Sequence, residues 1–194
     1  MQHATAGVLT TPDETLIERA RGGDAPAREE LFRRHFAVAY RVAYRLLGHD
    51  QDALDAVQDA FLKALRRLDD FDGRSGFRTW LLRVVTNAAL DLGRRRRRRP
   101  ALSLDDSPTD LAVSPGEDPA KSLHGEDLRQ ILSAALDRLS PRIRATFVLF
   151  AEAGLSYKEI ADAQNVPIGT VMSRLNFARR KLQSYLGDAD VFGE

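Results

Sequence analysis

"YKEIADAQNVPIGTVMSRLNFARRKL", residues 157–182, is the stretch that decides how this chain folds. Its apolar residues recur at spacings of three and four in two short runs, which is the periodicity of amphipathic helices. Asn165 lies between the runs, where a left-handed residue is needed, and Asn tolerates that conformation. Pro167 lies at the start of the second run. We therefore predict two helices joined by a tight turn, with Ser156 and Glu159 forming a capping box for the first helix.

The spacing also separates an inward face from an outward face. The inward positions are Ile160, Ala161, Val166, Val171 and Leu175. The second helix then presents small polar, aromatic and basic residues outward, and these are Thr170, Ser173, Arg174, Phe177, Arg180 and Lys181. This pattern is typical of a helix-turn-helix whose second helix enters the DNA major groove. An ordinary helical hairpin with a solvated basic face would give the same pattern.

The same helical periodicity runs through the rest of the chain, and no segment alternates convincingly with the period of a strand. Four helices are predicted before residue 100; Asp13 and Asp50 are placed to cap the first and the third, and the second follows Asp24. The fourth helix runs into six arginines at positions 94–99. Two more helices, which Pro141 separates, precede the opening stretch. The predicted fold class is all-α.

A stretch of different composition divides these helices into two groups. Residues 100–125 are rich in Pro, Ser and Asp and carry a net charge of −4. Such a segment buries too little apolar surface to offset its chain entropy. The flanking regions are basic, with +5 over 1–100 and +3 over 126–187. We therefore predict two small helical domains, 13–99 and 126–187, joined by a flexible acidic linker, 100–125.

Composition argues against several classes of site. The 194 residues include no cysteine, so a disulfide or a cysteine metal site is excluded. The four histidines, at positions 3, 35, 49 and 124, lack the spacing of metal ligands. No apolar run approaches the roughly 18 residues that a membrane crossing needs, and the first residues lack the pattern of a signal peptide. We expect a cytoplasmic protein that is not an enzyme and has no cofactor, metal, membrane insertion or small-molecule substrate.

Two separated segments resemble a known family. "DALDAVQDAFLKALRRLDDFDGRSGFRTWLLRVVTNAALDLGRRRRR" (52–98) is similar to region two of the bacterial RNA polymerase sigma factors of the sigma-70 family, extracytoplasmic-function (ECF) type. "LSPRIRATFVLFAEAGLSYKEIADAQNVPIGTVMSRLNFARRKL" (139–182) is similar to region four. The resemblance implies a transcription initiation factor that binds core RNA polymerase. Region two would recognise and melt the minus-ten promoter element, and region four would read the minus-thirty-five element.

One helix face carries an acidic stripe. Asp52, Asp55 and Asp59 are spaced by three and four residues, so they lie on one side of a helix and can pair with a basic partner. A solvated helix face would look the same. The resemblance assigns Asp52, Asp55, Gln58 and Asp59 to contact with the clamp helices of the largest polymerase subunit. Leu54 stands where the family usually has an acidic residue.

Residues 71–91 resemble the segment that captures the melted minus-ten element. Single-stranded DNA is held by stacking surfaces and cationic grooves, and pocket contacts must offset the cost of unstacking a base. The resemblance assigns this role to Phe71, Asp72, Gly73, Arg74, Ser75, Arg78, Arg83 and Asn87. Phe71 would either anchor the loop or form a pocket wall. Trp80 would either pack in the core or lie at the edge of a stacking platform.

The arginine run, 94–99, points to all sides of one helix, so its members cannot all serve one packed interface. Salt-dependent contacts to DNA phosphates fit this arrangement, and we assign them to Arg94, Arg95, Arg96 and Arg97. A solvated helix end, whose cations suit the negative end of the helix dipole, fits it too.

In region four, the resemblance assigns minus-thirty-five contacts to the second helix of the opening stretch. The assigned residues are Thr170, Val171, Ser173, Arg174, Phe177, Arg180 and Lys181. Arginine can grip guanine bidentately and an apolar group can meet a thymine methyl, and each good contact contributes roughly 1–3 kcal/mol of base discrimination. Asn176 and Phe177 replace a His-Arg pair that is common in this group.

Two other functions remain as alternatives. A self-standing helix-turn-helix regulator explains residues 156–182 and leaves residues 52–99 without a role. An enzyme acting on nucleic acid would need clustered carboxylates, a phosphate-binding glycine loop or a metal set, and the sequence shows none of these. For the sigma factor, the expected partners are core RNA polymerase, promoter DNA in duplex and melted form, and an anti-sigma protein, which the family implies.

Overall fold

A computed structural model describes residues 11–98 and 133–186, and within them every regular element is a helix. The helices are α1 (Asp13–Arg21), α2 (Ala25–Leu47), α3 (Asp50–Arg66), a 3-10 turn (Leu68–Asp70), α4 (Phe77–Arg98), α6 (Pro141–Ala151), α7 (Tyr157–Gln164) and α8 (Ile168–Leu186). Residues 133–137 form α5. The all-α prediction is confirmed. The predicted linker, 100–125, lies outside the described residues.

The first four helices share one apolar core. Helices α2, α3 and α4 pack pairwise against one another, and α1 packs against α2. Leu81, Leu82 and Val85 of α4 are fully buried, as are Ala43 of α2 and Ala53 of α3. Burying a leucine contributes about 1.5–3 kcal/mol, and the separation of packed helices depends on the size of the side chains between them. The small alanines therefore let α4 lie close to both neighbours.

The helix-turn-helix predicted from the opening stretch is present. Helix α8 packs across α6 and α7, and Ile160, Leu175 and Leu182 are fully buried between them. Asn165 joins α7 to α8 with a φ of 52°, which is the predicted left-handed conformation. This turn sets the angle between α7 and α8, and with it the direction in which the outward face of α8 points.

One predicted helix cap is confirmed, and Asp24 forms another cap that was not predicted. The Ser156 side chain accepts a hydrogen bond from the Glu159 amide, and the Glu159 carboxylate accepts one from the Ser156 amide at 2.9 Å. The Asp24 carboxylate accepts a bond from the Ala27 amide at 3.3 Å. In both cases the partner lies three residues away, so the local sequence alone determines the contact.

The other two predicted caps are wrong. Asp13 lies within the first turn of α1, and its carboxylate is 2.7 Å from both the Arg34 guanidinium and the His35 ring. Asp50 is the first residue of α3 and accepts a hydrogen bond from the Tyr40 hydroxyl. Pro12 and His49 occupy the N-cap positions, so both carboxylates lie one residue inside the helix, where packing brings side chains of α2 to them. They tie α1 and α3 to α2 and leave the helix starts without a side-chain cap.

We expect Ser156→Ala to lower the free energy of unfolding of the helix-turn-helix by about 0.5–2 kcal/mol, because an unpaired amide is left at the start of α7. Urea unfolding followed by circular dichroism measures the change. Ser184→Ala is the matched control, since Ser184 lies exposed near the end of α8 and only bonds the carbonyl of Lys181.

The size of this effect should depend on pH. Hydrogen bonds from Ser156 lower the pKa of the Glu159 carboxyl below its ordinary value of 4.5. The contribution of the ionised carboxylate is therefore present above pH 4.5 and is lost as pH falls through the lowered pKa. The difference between the Ser156→Ala chain and the native chain should shrink in acid. An equal loss from Ser184→Ala, or a difference that grows in acid, would contradict this account of the cap.

Candidate nucleic-acid interface

The outward face of α8 carries most of the residues assigned to duplex DNA. Ser173, Phe177, Arg180 and Lys181 are exposed, and Thr170 is half-buried. The ammonium of Lys181 lies 6.0 Å from the centre of the Phe177 ring. An apolar ring beside cations is suited to a thymine methyl flanked by phosphates.

The burial of Val171 contradicts its assignment as a DNA contact. Its side chain is fully buried against α6 and α7, so it cannot face a partner of α8. The same spacing had placed Val171 among the inward positions, and that placement is the one the packing follows. The residue supports the helix from within, while its neighbours on the other side point outward.

Arg174 of α8 is held by a neutral side chain of α7. It is half-buried, and its Nη1 donates to Gln164 Oε1 at 2.8 Å. Burial, and then the charge of Arg142, lower the pKa of Arg174 from its ordinary value. Sequence analysis missed Gln164 and gives no signal for it, because its partners are brought to it only by the fold.

A second α8 cation, Arg179, is also fixed by the domain. Its guanidinium lies 5.4 Å from the centre of the Phe150 ring and donates to the Tyr157 hydroxyl at 3.4 Å. A guanidinium stacked on an aromatic ring stabilises the packing of its own domain. Arg179 therefore joins α8 to α6 and α7, in contrast to the exposed Arg180 beside it.

The loop before α4 is built on an aromatic cluster. The Phe71 ring lies 5.8 Å from that of Phe77 and 5.4 Å from that of Trp80, while Phe71 and Trp80 stay half-buried. The Phe71 carbonyl accepts a bond from Arg21 of α1 at 2.5 Å. These contacts support the anchoring role for Phe71, and they put Trp80 at the edge of the cluster with part of its surface open.

The tip of this loop is open to solvent. Asp72, Gly73 and Arg74 are exposed and Ser75 is half-buried. The Asp72 carboxylate accepts a bond from the Arg74 amide at 3.0 Å, and Gly73 between them has a φ of 72°. A side chain at that φ would be strained, so glycine allows the tight turn. The turn holds polar groups beside the aromatic cluster.

Helix α4 places three assigned residues outside its buried stripe. Arg78, Arg83 and Asn87 are all exposed. Because α4 is buried along its other side, these side chains are held on the exposed surface of the helix. They give α4 polar and cationic surface next to the half-buried Phe71 and Trp80.

The arginine run forms the last turns of α4, and two of its members bind carboxylates of their own domain. Arg94 pairs with Asp91, and Arg96 pairs with Asp52 of α3. Arg95 and Arg97 are exposed. The pair between Arg96 and Asp52 joins the basic end of α4 to the acidic stripe of α3. From the sequence, these were expected to be separate surfaces.

The acidic stripe of α3 is otherwise accessible. Asp55, Gln58 and Asp59 are exposed, whereas Asp52 is half-buried under Arg96. Neighbouring side chains on the same helix face reach two of the carboxylates, with Gln51 bonded to Asp55 at 3.0 Å and Lys63 paired with Asp59 at 2.5 Å. Leu54 is half-buried at the inner edge of the stripe.

The two helix groups contact each other along a polar seam. Arg45 Nε of α2 lies 2.8 Å from Glu152 Oε1 at the end of α6. Arg78 donates to the carbonyl of Ala153, and Thr79 Oγ1 lies 3.2 Å from Glu159 Oε1. In this closed arrangement, one of the residues assigned to melted DNA is bound to the helix-turn-helix domain.

A cleft of about 280 Å³ lies along the same seam. Its lining combines polar or basic residues with apolar ones, and consists of Thr86, Asn87, Arg142, Gln164 and Arg174 together with Leu90, Ala145, Ala163 and Val166. The assigned residues Asn87 and Arg174 therefore face each other across the two domains. Closure brings together two surfaces that were each assigned to DNA.

Within residues 11–98 and 133–186, none of the helices combines the length and apolar character that a membrane crossing requires. In the same residues, no group of His, Asp or Glu side chains is arranged to hold a metal ion.

The sequence matches two family descriptions. "Sigma-70 region 2" matches residues 31–99, and "Sigma-70, region 4" matches residues 129–182. The ECF RNA polymerase sigma factor SigE of Mycolicibacterium smegmatis is 39% identical over 179 residues, which is 90% of this chain and 68% of that protein. The ECF RNA polymerase sigma-E factor of Escherichia coli K12 is 34% identical over 178 residues, which is 89% of this chain and 93% of that protein.

Two solved structures have a similar fold. CnrH in complex with the cytosolic domain of CnrY superposes with a TM-score of 0.68 at 30% identity, covering 92% of this chain and 98% of that chain. The sigma factor RpoE of Bartonella quintana, in complex with the anti-sigma factor NepR, superposes with a TM-score of 0.65 at 25% identity, covering 81% and 95%.

We expect Glu152→Arg to open the seam, because it places a third cation against Arg41 and Arg45. Since a partly exposed ion pair contributes about 0–1 kcal/mol, the ratio of open to closed chains should rise by up to about fivefold. Spin labels at Arg66→Cys and Gln183→Cys report the distance between the domains, and the chain contains no native cysteine to compete for label.

Adding Arg45→Glu to Glu152→Arg restores an opposite-charge pair, so it should return the short distances. Glu14→Arg makes the same charge change on exposed α1, away from the seam, and serves as the control. If Glu152→Arg leaves the distances unchanged, the ion pair does not hold the domains together.

Proposed function

This chain belongs to the sigma-70 family, as an extracytoplasmic-function sigma factor of bacterial RNA polymerase, and on that premise we propose which promoter elements each part of it recognises. Residues 13–99 bind core polymerase and melt the minus-ten element, residues 100–125 connect the two domains, and residues 126–187 read the minus-thirty-five element. The observation that carries the proposal is that one chain holds both a helix-turn-helix with an exposed basic face and a separate cationic helix beside half-buried aromatic rings.

The acidic stripe of α3 is the proposed polymerase surface. Asp55, Gln58 and Asp59 are exposed, and a partner would compete with Gln51 for Asp55 and with Lys63 for Asp59. Asp52 would have to exchange Arg96 for a basic group of the partner. Surface charges of this kind steer encounter and select the partner. A basic pair of clamp helices in the largest polymerase subunit has the complementary charge.

The loop 71–76 and the outer edge of α4 are the proposed site for the melted minus-ten strand. A flipped base would enter beside the polar turn at Asp72–Ser75, and Arg78, Arg83 and Asn87 would follow the strand along α4. Aromatic surface at Phe71 and Trp80 can accept base stacking, which offsets part of the cost of leaving the duplex. Arg94 to Arg97 would then neutralise phosphates beyond the melted bases.

The outward face of α8 is the proposed reader of the minus-thirty-five duplex. Its first turns lie closest to the helix-turn-helix turn, and in this motif the N-terminal part of the second helix contacts base edges. Ser173, Arg174 and Phe177 would therefore select bases, with Arg180 and Lys181 on phosphates. Thr170 lies at the start of the same face.

The closed seam implies an order of events. Arg78 donates to the carbonyl of Ala153 and Asn87 lines the cleft between the domains, so single-stranded DNA on α4 would compete with the closed arrangement. Binding of core polymerase would drive separation of the domains, because a partner that binds only the open form shifts the equilibrium by its differential affinity.

Regulation by an anti-sigma protein is part of the proposal. The similar RpoE of Bartonella quintana was solved in complex with the anti-sigma factor NepR. An anti-sigma protein that covers both domains of this chain would keep it from polymerase. We also propose that the chain acts in the cytoplasm, without a catalytic activity of its own.

A self-standing helix-turn-helix regulator is the alternative. It would use α7 and α8 alone and would leave the acidic stripe and the loop 71–76 without a role. It would also bind duplex promoter DNA in the absence of polymerase, whereas a sigma factor should require polymerase first.

We expect Asp55→Arg to weaken binding of core RNA polymerase by about tenfold or more, because it places a like charge against a basic partner. Fluorescence anisotropy of the labelled chain titrated with bacterial core polymerase measures the affinity. Glu29→Arg makes the same charge change at an exposed position of α2 and should have little effect. Equal losses from both variants would mean that net charge, and not the α3 stripe, governs binding.

We expect Arg95→Gln combined with Arg97→Gln to lower the slope of log K against log salt by about 1.5, since each phosphate contact contributes roughly 0.7–0.9. The measurement is promoter binding by the polymerase complex over a series of salt concentrations. Arg66→Gln with Arg67→Gln removes the same charge from exposed positions near the end of α3. An unchanged slope for the first pair would contradict phosphate contacts by the arginine run.

A further inference from the structure

Three helices converge on the amide oxygen of Gln164. Gln164 is the last residue of α7, directly before the left-handed Asn165. Its Oε1 lies 2.8 Å from Nη1 of Arg174 on α8 and 2.9 Å from the hydroxyl of Thr146 on α6. All three residues belong to the helix-turn-helix domain, so the arrangement does not depend on closure of the seam.

Thr146 fixes the position of the amide. It has no exposed surface, and its hydroxyl also lies 2.9 Å from the backbone carbonyl of Arg142. A hydroxyl has one proton, so Thr146 donates to one of these two acceptors at a time. Because both lie within reach, the hydroxyl stays paired and the glutamine remains confined between α6 and α8.

A neutral acceptor suits an arginine that must contact DNA. A carboxylate at position 164 would form a charge-assisted bond of greater strength and would repel nearby phosphates. The glutamine amide occupies Nη1 only, which leaves the edge formed by Nε and Nη2 for a second partner. Guanine presents O6 and N7 in the major groove, and that edge of arginine can bond both.

The surroundings of Arg174 favour a guanidinium that is fixed in one orientation. Its guanidinium is partly buried and faces the charge of Arg142, and both effects lower the pKa of Arg174. Without an acceptor at position 164, repulsion would turn the guanidinium away from α6. The hydrogen bond to Gln164 therefore fixes an orientation of the guanidinium that Arg174 would not otherwise keep.

We infer that Gln164, supported by Thr146, is a positioning residue that orients Arg174 for contact with a guanine in the minus-thirty-five duplex. The inference rests on the proposed function, because it assigns Gln164 a part in reading the same element. It adds to that function a residue outside α8 and a base identity at one promoter position.

The test is base preference, measured with the full-length chain bound to bacterial core RNA polymerase. The complex selects duplexes in which the minus-thirty-five positions are randomised, and the selected pools are sequenced. We expect a guanine preference at one position, which Arg174→Ala abolishes. Gln164→Leu should lower that preference about tenfold and leave other positions unchanged, in line with the range for one bidentate contact.

Three further variants separate positioning from folding. Gln164→Glu keeps a hydrogen-bond acceptor and should also lower the guanine preference, because the negative carboxylate would bind the Arg174 guanidinium more strongly and keep it from the base. Thr146→Val removes the buried hydroxyl and should lower the preference, while Thr146→Ser keeps the hydroxyl and should preserve it. In the Arg174→Ala background, Gln164→Leu should have no additional effect on any position.

The selected sequences distinguish failure of the positioning role of Gln164 from failure of the proposed function. A uniform loss at all positions from Gln164→Leu, or unchanged guanine preference in both Gln164 variants, would overturn the positioning role while leaving the proposed function intact. Absence of any base preference in the native complex would contradict the proposed function, and the base-reading role of Gln164 would fail with it. An additive effect of Gln164→Leu in the Arg174→Ala background would show that Gln164 acts elsewhere.

Discussion

Burial of one face of α4 is the constraint on which the rest of the structure depends. Leu81, Leu82 and Val85 are fully enclosed by α2 and α3. In a helix, residues three and four apart share a face, so fixing the buried stripe also fixes Arg78 and Asn87 on the surface. Apolar packing on one side of α4 therefore determines which residues of the helix are on the surface at the proposed site for melted DNA.

The contrast between the core and the seam explains how the chain can both close and open. Each fully buried leucine in the core contributes about 1.5–3 kcal/mol. The seam between the domains is held by groups such as Arg45 and Glu152, whose side chains are 22% and 24% exposed, and such pairs contribute much less. On this basis we propose that the domains separate when the chain binds polymerase and DNA.

How well sequence predicted each feature depended on how far apart the interacting residues are. The Ser156–Glu159 cap and the left-handed Asn165 are local, and the sequence alone was sufficient for both. Asp13 and Asp50 were mistaken for caps because their actual partners, on α2, are brought near only by packing. Val171 was placed on both faces, and burial decides in favour of the inner one.

The outward residues of the candidate site could be predicted from helical spacing, but the groups that orient them could not. Arg174 follows from the pattern of α8, whereas its acceptor Gln164 lies 10 residues away and Thr146 lies 18 residues from Gln164. The most direct test of the whole account is run-off transcription with purified core polymerase on genomic fragments, with and without this chain. The account predicts discrete transcripts only when the chain is present. Binding of the chain to duplex promoter DNA without polymerase, and no new transcripts, would contradict it.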